Sequence, residues 1–261
     1  MSATQLGLRP TRATALACKI CHGPAALFGV VDMHRPCEIP NGVRPPLSGV
    51  PIYYRRCATC GFLFTDAFDD WSIEQFKTHI YNDGYLAFDP DYAGKRPSGY
   101  ASTVARLWAA HKANTRVLDF GGGNDVFSAA LRVSGFLDAV TYDPMVSEHA
   151  SRPDGKFDLV TCFETLEHVP DPVASIGAIV DYVAEPGAVF YSTLTQPDDL
   201  NDKGMSWWYV GPRNGHISLF SKQALQVAWG RHGFKTVSFD AGHHLAFRTL
   251  PDAWRRTIAR G

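Results

Sequence analysis

The run Val117-Leu118-Asp119-Phe120-Gly121-Gly122-Gly123-Asn124 carries an apolar stretch into an acid and then a glycine-dense turn. Asp143 follows 24 positions after Asp119, at the end of Val140-Thr141-Tyr142-Asp143. Glycines let a backbone approach a ligand closely. A helix opening behind them offers unsatisfied amides to an anion. An acid about 20 residues beyond such a turn is placed to accept hydrogen bonds from ribose hydroxyls. The pattern predicts a nucleoside-containing cofactor held by Gly121, Gly123 and Asp143. The dinucleotide fingerprint asks for a third glycine at position 126, where this chain has Val126, so a dinucleotide is the weaker reading.

Cysteines form a second set. Cys18-x-x-Cys21 and Cys57-x-x-Cys60 are two paired-thiolate knuckles with 35 residues between Cys21 and Cys57. Two-residue spacing brings both sulfurs of a knuckle to one ion, and four thiolates close a tetrahedral zinc site. The separation is longer than the roughly 15–20 residues of ordinary ribbons, so the loop between the knuckles must be elaborated. The competing reading is a pair of disulfides or free thiols, which a cytoplasmic chain disfavours. Cys37 and His22 lie near enough in sequence to compete as ligands, but four cysteines already satisfy the ion. With no open position, such a zinc is structural. Cys162, at the end of a strand, reads as a core residue.

Two histidines compete for the role of general base. His216, in Arg213-Asn214-Gly215-His216, sits on a long loop beyond the strand near 188–194, where a scaffolded imidazole handles protons near neutral pH. His168, in Glu167-His168, follows the strand near 157–161, a place where histidines are more often helix-entry structure than catalyst. Glu164 and Phe163 lie just past that strand, at the carboxyl edge where open α/β sheets bind ligands. Trp207, Trp208 and Tyr209 precede His216; together with Asn214 they are candidates for the acceptor pocket, as a lid or stacking wall, the alternative being packing on the ribbon. His243 and His244 are adjacent on a strand, so only one faces inward.

The elements that must position these groups alternate. Strands are expected near 115–120, 138–142, 157–161 and 188–194, and helices near 100–111, 125–134, 171–184 and 221–232, the pattern of a doubly wound parallel sheet. For the helix 171–184, Asp171 caps, Pro172 suits the first turn, and Val173, Ile176, Val180 and Val183 share a face. Phe234–Asp240 and His243–Arg248 read as an antiparallel hairpin at a sheet edge. Residues 1–14 read as a loose lead, 15–65 as a zinc-ribbon domain rich in turn formers such as Asn41-Gly42, and 66–97 as a linker with a short helix at 72–79. Residues 98–250 read as the cofactor domain and 249–261 as a surface tail. The fold class is α/β, a Rossmann-like sheet with a small N-terminal ribbon.

Composition narrows the function. Hydrophobic residues make up 45% of the 261, charged residues 20%, and the formal net charge is −1. No global basic field draws the chain to nucleic acid or an acidic membrane, although Arg55-Arg56 is a small basic spot. No apolar stretch approaches a membrane span, and Met1-Ser2-Ala3-Thr4 lacks the order of a signal peptide, so a cytoplasmic enzyme is expected. Composition says nothing of oligomeric state.

Several blocks, in order, carry a resemblance. Leu118-Asp119-Phe120-Gly121-Gly122-Gly123 resembles motif I of class I S-adenosylmethionine-dependent methyltransferases. Phe157–Pro172 resembles their fourth strand and the segment after it, Glu185-Pro186-Gly187 their turn into the fifth strand, and His216–Phe234 their approach to the sixth. The chain departs from motif I at Asp125, where glycine is common. A ribbon followed by Tyr81-Asn82-Asp83-Gly84-Tyr85 and this core is similar to deoxysugar C-methyltransferases, whose substantial C-terminal domain this chain is too short to contain. The resemblance implies S-adenosylmethionine as cofactor. The glycines then lie by its methionine moiety, Asp119 by its ammonium, Phe163 beside the sulfonium, and Tyr81 and Tyr85 over it unless they merely pack. It implies a small-molecule acceptor, a sugar or natural-product intermediate. The rival readings are an RNA methyltransferase gripping nucleic acid with its ribbon, and a non-catalytic binding module whose cofactor loop Asp125 has damaged.

Overall fold

The computed structural model describes residues 16–37 and 44–258, with side chains placed as far as Arg255. The lead at 1–14 and the turn at Asn41-Gly42 lie outside the described residues. Contacts divide the chain into two compact units.

One unit comprises residues 91–165, 174–193 and 229 onward. Its six-stranded sheet runs in the order Lys235–Ser238, His243–Phe247, Val183–Ser192, Phe157–Cys162, Arg116–Phe120 and Asp138–Tyr142. The last four are parallel, and the first two form an antiparallel hairpin added to Val183–Ser192. The central parallel strands carry buried apolar runs, Val117-Leu118, Leu159-Val160 and Ala188–Phe190, as strands covered by helices on both faces do. Val117, Leu159, Ala188, Phe190 and Leu245 meet Val104 of the helix Lys95–Leu107, Trp108 at its C-cap, and Phe127 and Leu131 of the helix Val126–Val133 in one buried core. The chain leaves Arg116–Phe120 to add a strand on one side and returns to add Phe157–Cys162 on the other. That reversal is the switch point of the sheet, and the carboxyl ends of strands at such a point are where doubly wound sheets take ligands.

Two expectations in this unit need correcting. The helix expected over 171–184 spans only Pro172–Val180, and Val183 opens a strand that runs through Pro186-Gly187. The amide of Tyr182 closes the last turn on Ile179, and its carbonyl accepts from Phe157 at 2.7 Å, so the sheet captures the chain early. The expected surface tail instead contains the helix Asp252–Ile258, whose Trp254 is buried with its ring edge-on to Trp108 at 5.5 Å. Burying an indole outweighs the entropy of ordering one short helix.

The other unit holds residues up to 90 together with 166–173 and 194–228. Its antiparallel sheet runs Leu16–Ala17, Pro24–Asp32, Pro51–Cys57, Leu63–Phe64 and Ser218–Leu219. The fifth strand differs from the expected organisation, in which everything from 98 to 250 belonged to the cofactor domain. Leu63 pairs with Leu219 and Phe64 with Ser218, while Thr65 donates its amide to Ile217 at 3.1 Å. Leu63, Phe64, Leu219 and Phe220 are all buried, which draws the segment 194–228 onto the ribbon. The short helix expected at 72–79 is Ile73–His79, started by a capping box between Ser72 and Gln75. Among the described residues no helix is long and apolar enough to cross a membrane.

Candidate functional site

The glycine turn follows directly from its residue types. Gly121 and Gly123 have φ of +74° and +61°, left-handed values that cost other residues strain. Gly122 is needed for space, since a Cβ there would stand 2.1 Å from the Asp119 carboxylate. Asp143, 8% exposed at the end of the adjacent strand, accepts from the Gly123 amide at 2.9 Å and from the Met145 amide at 2.7 Å. The acid expected to hold a ribose therefore lies against the glycines expected to approach the rest of the cofactor. Asp119 is buried and accepts from Thr161 Oγ1 at 2.8 Å. Burial pushes its carboxyl up to about 7, against the Thr161 hydrogen bond, and the charges of Asp143 and Asp125 add to the rise.

Asp125 does not need to be glycine. Its φ of −78° and ψ of 12° are open to any residue, and it precedes the helix Val126–Val133 as its N-cap. Its carboxylate pairs with Arg132 and accepts from Thr141 Oγ1 at 3.2 Å.

Beyond the strand Phe157–Cys162, Phe163 stacks parallel on Tyr100 at 4.2 Å and packs against Phe127 and Phe190. Glu164 adopts φ +48°, an uncommon conformation for a non-glycine residue. Its carboxylate accepts from Tyr100 Oη and Ser192 Oγ, each at 2.9 Å, and lies 3.7 Å from Arg96. A side chain so tied is oriented rather than loose. Tyr92 leans over the same turn, its hydroxyl 3.5 Å from where a Cβ on Gly123 would lie, and Asn124 donates to the Ala93 carbonyl at 2.8 Å. Sequence reasoning missed Tyr92, Arg96, Tyr100 and Ser192, because only the fold brings them to this edge. His244 is buried between Ser238 and Thr193, so it is the inward-facing member of its pair.

In the other unit Cys18, Cys21, Cys57 and Cys60 converge with all four sulfurs within 4.8 Å of one another. The two knuckles repeat one geometry. Cys18 and Cys57 donate their amides to the carbonyls of Gly23 and Phe62 at 2.8 Å, and accept at 3.0 Å from the amides of His22 and Gly61. His22 and Gly61 are both left-handed, with φ of +61° and +73°. The sulfurs of Cys18 and Cys60 are 3.6 Å apart and those of Cys21 and Cys57 3.4 Å. Those separations are far beyond the roughly 2.05 Å of a disulfide and close to the roughly 3.8 Å edge of a zinc–sulfur tetrahedron. The hydrogen bond with Cys60, foremost, lowers Cys18 to about 5, and raises Cys60 in turn. The donor set is compatible with a tetrahedral zinc.

The same unit gathers His168, His216 and Glu167, whose ligating atoms also lie within 4.8 Å of one another. The two imidazole rings are 4.9 Å apart, and Tyr209 stands 4.2 Å from His216. His216 Nδ1 lies 2.9 Å from the Tyr209 carbonyl and 3.0 Å from Cys37 Sγ. Tyr81 and Tyr85, expected over the cofactor, pack on each other at 5.2 Å, with Tyr81 facing His168 at 6.0 Å and Tyr85 reaching the Asn214 carbonyl. Asn214 accepts from the Cys37 amide at 2.9 Å, which explains its burial. Of the three loop aromatics, Trp207 and Tyr209 are buried and Trp208 is half exposed. Glu167 and Cys37 carried no legible signal, since only the fold sets them against His216.

Comparison with known proteins adds family evidence. A family model described as a methyltransferase domain matches residues 92–239. The ubiquinone biosynthesis O-methyltransferase of Escherichia coli is 47% identical over 95 residues, and that of Shigella boydii matches equally. These matches take in 32% of this chain and 37% of the relatives' length. Among solved structures, the mitomycin 7-O-methyltransferase superposes with a TM-score of 0.51 at 14% identity, over 69% of this chain and 61% of that one. An O-methyltransferase family protein of Burkholderia thailandensis does so at 0.50 and 16%, over 68% and 63%. These two likenesses concern the fold.

Proposed function

The chain belongs to the methyltransferase-domain family, and from that premise we propose that it transfers a methyl group from S-adenosylmethionine to a small-molecule acceptor, a sugar or natural-product intermediate. The observation that carries this reading is the glycine turn at the switch point of the sheet, its Gly123 amide on the Asp143 carboxylate. A ribose diol donates to such a carboxylate, and Asp143, already oriented by two backbone amides, needs little rearrangement to accept it. Asp119 supplies a buried counter-charge for the cofactor's ammonium. When bound, the cofactor supplies a methyl group already activated on a sulfonium.

The protein must then orient the acceptor and manage its proton. His216 is assigned the base, or a hydrogen bond to the acceptor, with His168 and Glu164 as the next candidates. A carbonyl oxygen only accepts, so the Tyr209 carbonyl fixes the hydrogen on His216 Nδ1 and leaves Nε2 with the lone pair a base requires. Trp208 is the exposed aromatic of its loop and is assigned to the acceptor; Trp207, Tyr209 and Asn214 shape its surroundings. Support for a hydroxylated acceptor comes from the sequence relatives whose names specify O-methylation. The cysteine tetrad is assigned one structural zinc.

The test is transfer of labelled methyl from S-adenosylmethionine to a panel of nucleotide sugars, hydroxylated aromatic natural products and RNA. Label in a small-molecule product supports the proposal. Label found only in RNA, or in no product although cofactor binds, opposes it.

A further inference from the structure

We propose that Glu167, His168 and His216 form a second metal site, one that takes a divalent transition ion such as zinc or cobalt through two imidazoles and a carboxylate. Their donor atoms already converge within 4.8 Å. Ligand bonds of about 2.0–2.2 Å require donor separations near 3.3 Å, which small side-chain rotations reach. Imidazoles with one carboxylate select transition ions over magnesium or calcium, which prefer all-oxygen shells.

The supporting groups are those a metal site needs. A ligating imidazole gives its other nitrogen's hydrogen to a fixed acceptor, which sets the tautomer and the ring plane. His216 does so through Nδ1 to the Tyr209 carbonyl at 2.9 Å, leaving Nε2 as the donor atom. The hydroxyl of the same Tyr209 donates to Glu167 Oε1 at 2.5 Å and orients the carboxylate. One residue thus holds two of the three ligands, with its main chain and its side chain. The two ligand loops are also tied to each other, since the Ile217 amide donates to the Glu167 carbonyl at 2.9 Å. Tyr54 Oη donates to the His216 carbonyl at 2.6 Å and fixes that backbone. Glu167 and His216 are 0% and 7% exposed, so solvent competes weakly for them. The site is separate from the cysteine tetrad, which has its own four ligands.

A bound ion occupies the lone pair of His216 Nε2. If His216 is also the base proposed above, the ion inhibits methyl transfer; the inhibition rests on that reading, whereas the binding does not. The experiment is titration of the zinc-containing full-length protein with cobalt(II), followed by visible spectroscopy and metal analysis. The expected result is one further cobalt per chain with weak d–d bands and no thiolate charge-transfer band. Glu167→Gln and His168→Asn should each weaken that uptake at least tenfold while zinc content stays at one. Glu167→Gln keeps an acceptor for Tyr209, so it preserves the fold if His168→Asn does not. No cobalt beyond the tetrad, or uptake unchanged in both variants, overturns the proposal. Cobalt uptake without inhibition leaves the site standing and removes His216 as the base.

Discussion

At Asp119 burial and charge oppose each other, and the balance is open to measurement. Its folded pKa, pushed up to about 7, stands above the roughly 3.9 of an unfolded aspartate. The native state keeps a proton that the unfolded chain has released. This group's contribution to stability is therefore fully present below about pH 4 and lost as pH rises through about 7. Urea unfolding across that range should show the decline, and Asp119→Asn should flatten it. A cofactor ammonium favours the ionised carboxylate, so cofactor affinity should strengthen from about pH 5 to about pH 7, below the range in which the ammonium loses its proton, and Asp119→Asn should flatten that rise. For His216→Asn we expect turnover to drop by roughly 10²–10⁴-fold with cofactor affinity nearly constant. Unfolding of that variant, or unchanged turnover, makes the residue structural. The glycine turn was legible because the positive φ of Gly121 and Gly123 and the lack of room for a Cβ at Gly122 leave little choice of residue there. Glu167 was not, because its link to Tyr209 spans 42 positions and exists only in the fold.

At the scale of elements, local chemistry was legible where it was self-contained. Ser72 and Gln75 announce the helix they cap, and the hairpin Lys235–Ser238 with His243–Phe247 follows from alternation. The helix after Asp171 was overextended because Val183 satisfies helical spacing and strand pairing equally, and only the neighbouring strand decides between them. The fifth ribbon strand was invisible for a similar reason: Ser218–Leu219 is two residues long and pairs with a strand more than 150 positions earlier. Removal of zinc, or Cys57→Ser, should unfold the ribbon sheet, because metal binding supplies much of a small domain's folding free energy. Circular dichroism before and after chelation measures this, and metal analysis without zinc in protein purified free of chelator would count against it. Trp254→Ala should destabilise its unit by about 3 kcal/mol, because it empties the packing against Trp108; denaturant titration reads that loss.

For the whole molecule, a formal net charge of −1 supplies no global basic field for nucleic acid, and the methyltransferase family model covers residues 92–239. The chain is expected to bind S-adenosylmethionine at the turn between Asp119 and Asn124 and at Asp143. Calorimetric titration of the wild type and of Asp143→Ala with S-adenosylmethionine measures this. One site per chain is expected in the wild type, and in the variant a weakening of about 1–3 kcal/mol from the lost ribose hydrogen bonds, with the fold intact by circular dichroism. No heat of binding in the wild type, or equal affinity in a folded variant, would contradict it.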